Sequence, residues 1–451
     1  MKLLRAALVL FFAAPGVAVA APSLVARDLP ARSGIVAQAP AAFDLVGLHW
    51  RGSGAVRFRT QRADGTWGKW HFSAPEDDLP DRNTAEGRRS HGWHLGNPFW
   101  VGRSERIQYR LGGRVTRLRA FFVRSPLLGG TPRHVKPFTE NAPPIITRAE
   151  WGANESIRRN RENGPEIADN VHLAIVHHTA GSNIYSRSQS AAIVRGIEMY
   201  HVLGNGWDDI GYNFLVDKYG QVFEGRYGGM TKAVVGAHAL GFNFGSVGVA
   251  LIGNYNSATV TPAERAALFS LLAWRLDVAH VDPRSQVTRI SAGNAEYPKG
   301  TAVELRAISG YRDTGPTSCP GNNLYAQLPS IAQQVAATGL PKIYSPTVFG
   351  GLGEKVRFTA RVSSAVPWTV TVTDPLHLVV ASGSGTGTGV DWTWDASHVV
   401  PGRYSYTIGA GGTGTTAARP VTGVIVGLWR AQKILGTLVA ETLGIGPAQV
   451  F

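Results

Sequence analysis

The chain has 451 residues, of which 44% are hydrophobic and 17% are charged. It is too long for a single ordinary core and too apolar for a disordered protein, so we expect about two to four globular domains. The formal net charge is +14 and the sequence pI is about 10.1, which favours anionic partners. No long block of consecutive Lys or Arg occurs, and this argues against nucleic acid as the partner.

The first twenty residues have the pattern of a secretory signal peptide. Lys2 and Arg5 lie beside an apolar stretch, and small residues lead to a cleavage site near Ala20. The stretch is too short for a transmembrane span. We therefore expect a protein that is secreted or held at the cell wall. In an oxidising compartment the single cysteine, Cys319, has no disulfide partner within the chain, so it is expected to be buried or bound to a metal.

Residues 21–42 are rich in Ala, Pro and Val without a clear period, and they are predicted to be a linker. Residues 43–125 contain short alternating runs bounded by turn residues, which is typical of a small β-sandwich. Its tryptophans could form a face that stacks on sugars, although tryptophans in a small all-β domain more often fill the core. They are Trp67, Trp70, Trp93 and Trp100. Residues 126–144 are predicted to be a second linker.

The pattern changes to alternating strands and helices over residues 145–341. Residues 171–177 form a continuous apolar strand, and residues 187–203 carry apolar side chains at helical spacing. Thr261 and Glu264 form a capping box that begins another helix. This alternation predicts an α/β domain with one central sheet.

Residues 342–426 return to short strands and predict a second small sandwich. Residues 427–451 suggest a helical tail that is too short and too interrupted by charge to span a membrane. The predicted fold is therefore an α/β central domain between two small all-β sandwich domains.

Two pieces of the central domain carry candidate chemistry. His177 closes a buried strand, and Cys319 lies in a tight Thr-Ser-Cys-Pro-Gly turn. A thiolate and an imidazole can hold a metal or form a nucleophile–base pair. Neighbouring strand residues point to opposite faces, so His177 and His178 cannot both serve one site. A catalytic zinc needs a third protein ligand. That ligand should come from the strand before the cysteine turn, where the residue is Tyr311.

Several motifs in the central domain resemble those of peptidoglycan recognition proteins and the related zinc N-acetylmuramoyl-L-alanine amidases. The matching pieces follow the family's order over residues 145–341. They are RAEWG at 148–152, IVHHTAG at 175–181, DDIGYNF at 208–214, GAHALGFN at 236–243, SVGVALIGNY at 246–255 and RDTGPTSCPG at 312–321. The outer sandwiches resemble those of multidomain actinobacterial members, and the C-terminal one is similar to immunoglobulin-like modules.

The resemblance implies a mixed sheet flanked by helices and one zinc ion held by two histidines and a cysteine. By position, His177 and Cys319 are two of these metal ligands. Family members that cleave have histidine immediately before the Arg-Asp pair, whereas this chain has Tyr311 there. A phenolate can bind zinc, but its free pKa near 10 must first be overcome. Losing an imidazole ligand is expected to cost more than the roughly 10- to 100-fold loss typical of outer-shell changes.

The resemblance also implies roles for four further residues. Tyr212 matches the tyrosine that hydrogen-bonds the water or oxyanion, and Thr317 matches the residue that faces the scissile carbonyl. His238 and Asn243 fall in a stretch that often contacts the glycopeptide. All four are therefore candidate catalytic or substrate-binding residues.

Three functions follow from these residues. The first is a secreted zinc amidase that binds peptidoglycan or muropeptides and hydrolyses the bond between N-acetylmuramic acid and L-alanine. The second is a recognition protein that binds peptidoglycan without cleaving it, because Tyr311 replaces a ligand. The third uses Cys319 as nucleophile and His177 as base, and it is disfavoured because no residue is seen to orient the histidine. In each case the basic charge would favour anionic cell-wall polymers.

Overall fold

The computed structural model describes residues 21–89, 92–127, 142–412 and 417–427. The predicted signal peptide, most of the second predicted linker and the predicted helical tail from residue 428 lie outside these ranges. Within them, no helix is long and apolar enough to cross a membrane. The described chain folds into three domains in the predicted order.

The N-terminal domain is all-β, as predicted. Its elements are β1 (Ser23–Leu29), β2 (Val36–Arg51), β3 (Ala55–Arg62), β4 (His71–Phe72), α1 (Ala85–Arg89), β5 (His94–Leu95), β6 (Phe99–Gly112) and β7 (Arg117–Arg124). One antiparallel sheet joins the strands in the order β1-β7-β2-β6-β3-β4, and β5 pairs with β2. Register shifts in the long β2 strand interrupt its pairing with β6.

The prediction of a linker over residues 21–42 is wrong. β1 pairs antiparallel with β7 from Ser23 opposite Arg124 to Leu29 opposite Leu118, and β2 begins at Val36. Most side chains of β1 are exposed, because it is an edge strand that is held mainly by backbone hydrogen bonds. Such a strand has no apolar alternation for a sequence pattern to reveal.

The central domain is built on a mixed six-stranded sheet. Its strands are β8 (Ile145–Ile146), β9 (Leu173–His178), β10 (Phe214–Val216), β11 (Val222–Glu224), β12 (Ser246–Leu251), β13 (Gln286–Ile290), β14 (Ala302–Arg306) and β15 (Ile308–Gly310). The sheet order is β15-β9-β12-β10-β11-β8, while β13 and β14 form a separate hairpin. Only the β10–β11 pair of the six-stranded sheet is antiparallel.

Helices cover both faces of this sheet. They are α2 (Arg148–Trp151), α3 (Ser190–Met199), α4 (Pro262–Val278), α5 (Asn322–Tyr325) and α6 (Leu328–Ala337). Leu268 and Leu272 of α4 and Ile331 of α6 pack with Val249 in one core cluster. Thr261 caps α4 by accepting a hydrogen bond from Glu264 N at 3.1 Å, as the capping-box pattern indicates.

The other face of the sheet shares a core with the N-terminal domain. Leu45 of β2 and Phe121 and Val123 of β7 join Ile193 and Ile197 of α3 in one buried cluster. β7 is apolar without alternation over residues 120–123, and all four are buried. A strand buried on both faces has this pattern. The two domains therefore pack as one body, with the sheet of one covering a helix of the other.

The C-terminal domain is a five-stranded antiparallel sheet, which confirms the all-β prediction. Its strands are β16 (Ile343–Phe349), β17 (Lys355–Thr373), β18 (Val379–Asp395), β19 (Arg403–Ala410) and β20 (Val421–Val426). Their order is β16-β17-β19-β20, and β18 pairs with β17. Lys342 Nζ donates to the Ala273 carbonyl of α4 at 2.9 Å, which joins this domain to the central one.

Candidate active site

An acidic loop of the N-terminal domain enters the central domain. We define it as residues 76–81, which read EDDLPD and lie between β4 and α1. Glu86 of α1 anchors the adjoining chain: its carboxylate accepts from Asp208 N at 2.8 Å and from Arg226 Nη2 at 2.6 Å. Asp81 accepts from Gly241 N at 2.6 Å. These contacts fasten the loop against the central domain.

His177 is the centre of the site. It lies near the end of β9, and because β15 runs parallel to β9 with Gly310 beside Val176, the following Tyr311 lies next to it. His177 Nδ1 lies 2.8 Å from Asp78 Oδ1 and 3.7 Å from Cys319 Sγ. His177 Nε2 lies 3.1 Å from His238 Nδ1. The structure thus brings together the predicted pair, His177 and Cys319, and adds a carboxylate from another domain.

Three donor atoms converge on one point. One atom each of Asp78, His177 and Cys319 lies within 4.8 Å of the others, and all three side chains are buried. Zinc bonds of about 2.0 Å to nitrogen or oxygen and about 2.3 Å to sulfur, at tetrahedral angles, separate ligands by roughly 3.3–3.8 Å. Thiolate, imidazole and carboxylate are donors that zinc accepts. His177 Nδ1 and Cys319 Sγ, 3.7 Å apart, already have this separation. Asp78 Oδ1, at 2.8 Å from His177 Nδ1, would have to draw back by about half an ångström to share an ion with them. By the chemistry of their donor atoms, the residues present fit zinc.

Each donor has a supporting contact. The Tyr212 hydroxyl donates to Asp78 Oδ2 at 2.6 Å, which leaves Oδ1 directed at His177. The His178 backbone N–H donates to Cys319 Sγ at 3.3 Å. Burial lowers the pKa of His238 well below its usual value, so its ring is neutral and can accept from His177 Nε2. Such outer contacts fix the orientation of metal ligands.

Tyr311 has a different partner from the one predicted. Its hydroxyl donates to the backbone carbonyl of Asp77 in the acidic loop. Burial, with the nearby Asp78 charge, raises the pKa of Tyr311 well above 10, so the phenol stays protonated. It is a buried neutral group that fastens the loop, and the structure directs Asp78 rather than Tyr311 toward His177 and Cys319.

The contacts also bear on a cysteine nucleophile. A catalytic triad needs the base to face the nucleophile with one ring nitrogen and its orienting acid with the other. Here Asp78 and Cys319 both approach Nδ1 of His177. Burial raises the pKa of the Cys319 thiol well above its usual value, which disfavours the thiolate without a metal. The arrangement suits a metal ion better than a nucleophile–base pair.

A cavity of about 450 Å³ opens beside these donors, between the two domains. Thr317, Asp78 and Cys319 line it from the site side. Thr317 Oγ1 accepts from Cys319 N at 3.1 Å and also bonds the Asp77 carboxyl. Burial raises the pKa of Asp77 to about 6. The N-terminal domain forms the aromatic wall of this cavity, with Trp70, His71, Phe72 and Phe99.

His238 and Asn243 are covered in this structure. They are 0% and 1% exposed. Asn243 Oδ1 accepts from His238 N at 2.8 Å, while its Nδ2 donates to the Leu79 carbonyl at 3.0 Å. Asn243 therefore holds the acidic loop, while His238 lies behind His177. Their contact with substrate remains a prediction.

Asp78 is the site residue that the sequence did not reveal. It lies far from His177 along the chain and belongs to a domain predicted to be a separate sandwich. The available signal was a cluster of acidic residues, EDDLPD, in a markedly basic protein. Such clusters are common on solvated surfaces, and without the fold nothing links this one to the central domain.

The fold and site define a mixed-sheet domain with a candidate metal centre at the carboxyl ends of its parallel strands. Residues 168–322 match the family described as N-acetylmuramoyl-L-alanine amidase. Residues 14–139 match a family described as Rv3811 N-terminal galactose-binding domain-like. The second match includes strand β1, which lies in the stretch that the sequence pattern alone predicts to be a linker.

Peptidoglycan-recognition protein SC2 of Drosophila melanogaster is 33% identical over 184 residues, which cover 41% of this chain and 84% of the relative. Human peptidoglycan recognition protein 3 is 27% identical over 194 residues, covering 42% of this chain and 54% of the relative. The solved structure of wild-type Drosophila PGRP-LB aligns with 27% identity over 41% of this chain and 92% of that chain, with a TM-score of 0.32. The chain belongs to the family of peptidoglycan recognition proteins and type 2 N-acetylmuramoyl-L-alanine amidases.

Proposed function

We propose that this is a secreted protein that binds peptidoglycan and hydrolyses the amide between N-acetylmuramic acid and L-alanine with the help of zinc. One observation carries the proposal: Cys319 Sγ lies 3.7 Å from His177 Nδ1, and the cysteine lines a cavity large enough for part of a muropeptide. Family membership and the names of the relatives support peptidoglycan as the ligand. The predicted signal peptide supports secretion.

The chain's own residues supply binding and orientation. A zinc ion in such a site supplies Lewis-acid activation of water and of the scissile carbonyl. The aromatic wall of the cavity offers flat apolar surfaces on which a sugar ring or an acyl group can rest. Thr317 lines the cavity next to Cys319, where its hydroxyl can orient the carbonyl. Tyr212 holds Asp78 in the present arrangement, and its predicted role at the oxyanion requires that this hydrogen bond be shared or released.

A second candidate is recognition without cleavage. The observation that favours it is the contact of Tyr311 with Asp77, which places a buried phenol where cleaving relatives are expected to have histidine. The acidic loop also covers Asn243, whose side chain donates to the Leu79 carbonyl and to Asp81. In this case the cavity between the domains would bind a muropeptide, and no bond would break.

The two candidates are separated by incubating the purified protein with peptidoglycan, with and without a chelator. Amidase activity predicts release of free stem peptides, loss of that release after chelation and recovery with added zinc. A matched Cys319→Ser variant serves as the inactive control. Binding to peptidoglycan without stem-peptide release at any zinc concentration would reject hydrolysis and leave recognition.

We also propose that the basic charge of the protein holds it on anionic wall polymers. The net charge of +14 supports this, because it attracts anionic polymers. Attraction between exposed charges weakens as salt shortens the Debye length. The protein should be released from isolated walls by moderate salt. Unchanged retention at high salt would contradict an electrostatic anchor.

A further inference from the structure

We propose that Asp78, supplied by the N-terminal domain, is the third protein ligand of the metal site and that Tyr311 is not. The metal centre would then be completed by two domains rather than contained in one. This inference refines the metal site of the proposed function. It can be tested by metal binding alone, whether or not the protein cleaves peptidoglycan.

The first argument is the direction of the donors. Asp78 Oδ1, His177 Nδ1 and Cys319 Sγ approach one another, whereas the Tyr311 hydroxyl is used by the Asp77 carbonyl. A phenol that donates to a backbone carbonyl in a buried setting would have to lose both its proton and its partner before it could bind metal. The carboxylate needs only to draw back from its 2.8 Å contact with His177 Nδ1.

The second argument is charge. Zinc binds cysteine as thiolate and histidine as neutral imidazole. A thiolate and the Asp78 carboxylate together balance the two charges of the ion, whereas a thiolate with Tyr311 would do so only after the buried phenol had lost its proton. The donor side chains are buried, and an unbalanced buried charge is costly. The Asp-His-Cys set therefore gives a neutral site without deprotonation of a phenol.

The third argument is that the acidic loop is built into the central domain. Leu79 accepts through its carbonyl from Asn243 at 3.0 Å, and Asp81 accepts from Gly241 N at 2.6 Å. Tyr212 orients the Asp78 carboxylate through its second oxygen. These contacts hold the chain just after Asp78 and fix its side chain, as a positioned ligand requires.

The test measures zinc affinity of the full chain by competition with a chromophoric chelator. The variants are Asp78→Asn, which keeps an acceptor for Tyr212, and Tyr311→Phe. Asp28→Asn is the control, because it changes a carboxylate of the same domain that pairs with Arg119 at an exposed edge and does not line the cavity. We expect Asp78→Asn to weaken the zinc Kd by more than about 100-fold and Tyr311→Phe, which removes only a contact to the loop, by no more than about 10- to 100-fold. The control should keep the wild-type zinc Kd.

Cobalt substitution gives a second readout that does not depend on activity. The visible ligand-field spectrum of the Co²⁺ protein should change in Asp78→Asn and stay unaltered in Tyr311→Phe. If Asp78→Asn does not fold, the Tyr311→Phe result still decides, since a tyrosine ligand predicts loss of metal there.

Three results would overturn the proposal. They are a wild-type protein without stoichiometric zinc, an Asp78→Asn variant with wild-type affinity, and a Tyr311→Phe variant that loses the metal. If Asp78→Asn kept wild-type zinc affinity and bound muropeptide more tightly, the acidic loop would be a cover over the cleft rather than part of the metal site.

Discussion

Asp78 Oδ1 lies 2.8 Å from His177 Nδ1, although 99 residues separate the two along the chain. The contact joins a loop of an all-β domain to the end of a buried strand in an α/β domain. The N-terminal domain therefore provides one wall of the candidate active site and one of its polar groups. Its removal should disrupt the site as well as any binding that the domain performs by itself.

Tyr212→Phe tests how strongly Asp78 depends on its hydrogen bond. Asp78 Oδ2 would lose a partner at 2.6 Å in a buried setting, and the loss of such an outer-shell contact weakens metal binding by about 10- to 100-fold. The zinc Kd of the full chain, measured by chelator competition, checks this. Tyr219→Phe is the control, because its hydroxyl bonds the Tyr185 carbonyl.

An unchanged zinc Kd in Tyr212→Phe would show that the tyrosine does not hold the carboxylate for metal. A fall in the rate of stem-peptide release at saturating zinc would then assign the hydroxyl to the reacting carbonyl, as the family resemblance implies. The two readouts separate support of the metal from stabilisation of an oxyanion.

Trp70→Ala tests the aromatic wall of the cavity. Trp70 lines the cavity. The guanidinium carbon of Arg110 lies 4.4 Å from the centroid of the Trp70 ring. An aromatic contact contributes about 1 kcal/mol beyond the area it buries, so muropeptide affinity should fall by about fivefold to tenfold or more. Isothermal titration with a soluble muropeptide measures it.

Trp67→Ala is the matched control for Trp70→Ala. Trp67 also lies under an arginine, Arg59, but it does not line the cavity. Its replacement should leave muropeptide affinity unchanged. Equal losses in both variants would instead indicate that the tryptophans and arginines stabilise the N-terminal domain as a whole.

The sequence predicted the central site in part because its signals are local. The strand that carries His177, the turn around Cys319 and the capping residue Thr261 each have a pattern within a few neighbouring residues. Asp78 has no such pattern, because its role depends on how two domains pack. The apolar run at residues 120–123 is the one feature that could have indicated a second buried face and hence a shared core.

Gly47→Ala tests whether the site depends on the packing of the two domains. A Cβ on Gly47 of β2 would overlap the ring of Tyr200, which follows α3 and donates its hydroxyl to the Gly96 carbonyl at 2.5 Å. Overpacking of this kind costs about 1–3 kcal/mol. We expect a lower Tm together with weaker zinc binding, because displacement of the N-terminal domain also displaces Asp78.

Gly112→Ala is the control for the interface. Gly112 lies in the same sheet, and a Cβ there meets no atom within 4 Å. This variant should keep wild-type Tm and zinc affinity. A Gly47→Ala protein with lower Tm but unchanged zinc affinity would show that the metal site does not need the native packing of the domains.

Glu264 gives a pH dependence of stability that is independent of the metal site. Its side chain is buried on α4 and accepts from the Tyr255 hydroxyl. Burial raises its pKa from 4.5 to about 7. Because the folded state holds this proton more tightly than the unfolded chain, the stabilisation is fully present below pH 4.5 and is lost as the pH rises through 7.

The Glu264→Gln variant removes this titration while keeping an acceptor for Tyr255. At about pH 8 it should therefore be more stable than the wild type, by up to roughly 3 kcal/mol for a pKa difference of this size. Below the unfolded pKa the two proteins should have similar stability, because the wild-type carboxyl is then protonated in both states. Thermal unfolding of both proteins across this pH range measures the difference in their stability. The other titrating groups are common to both proteins, so their contributions cancel in this difference. Parallel Tm curves would mean that Glu264 has the same pKa in the folded and unfolded chains, and that the hydrogen bond from Tyr255 fully offsets its burial.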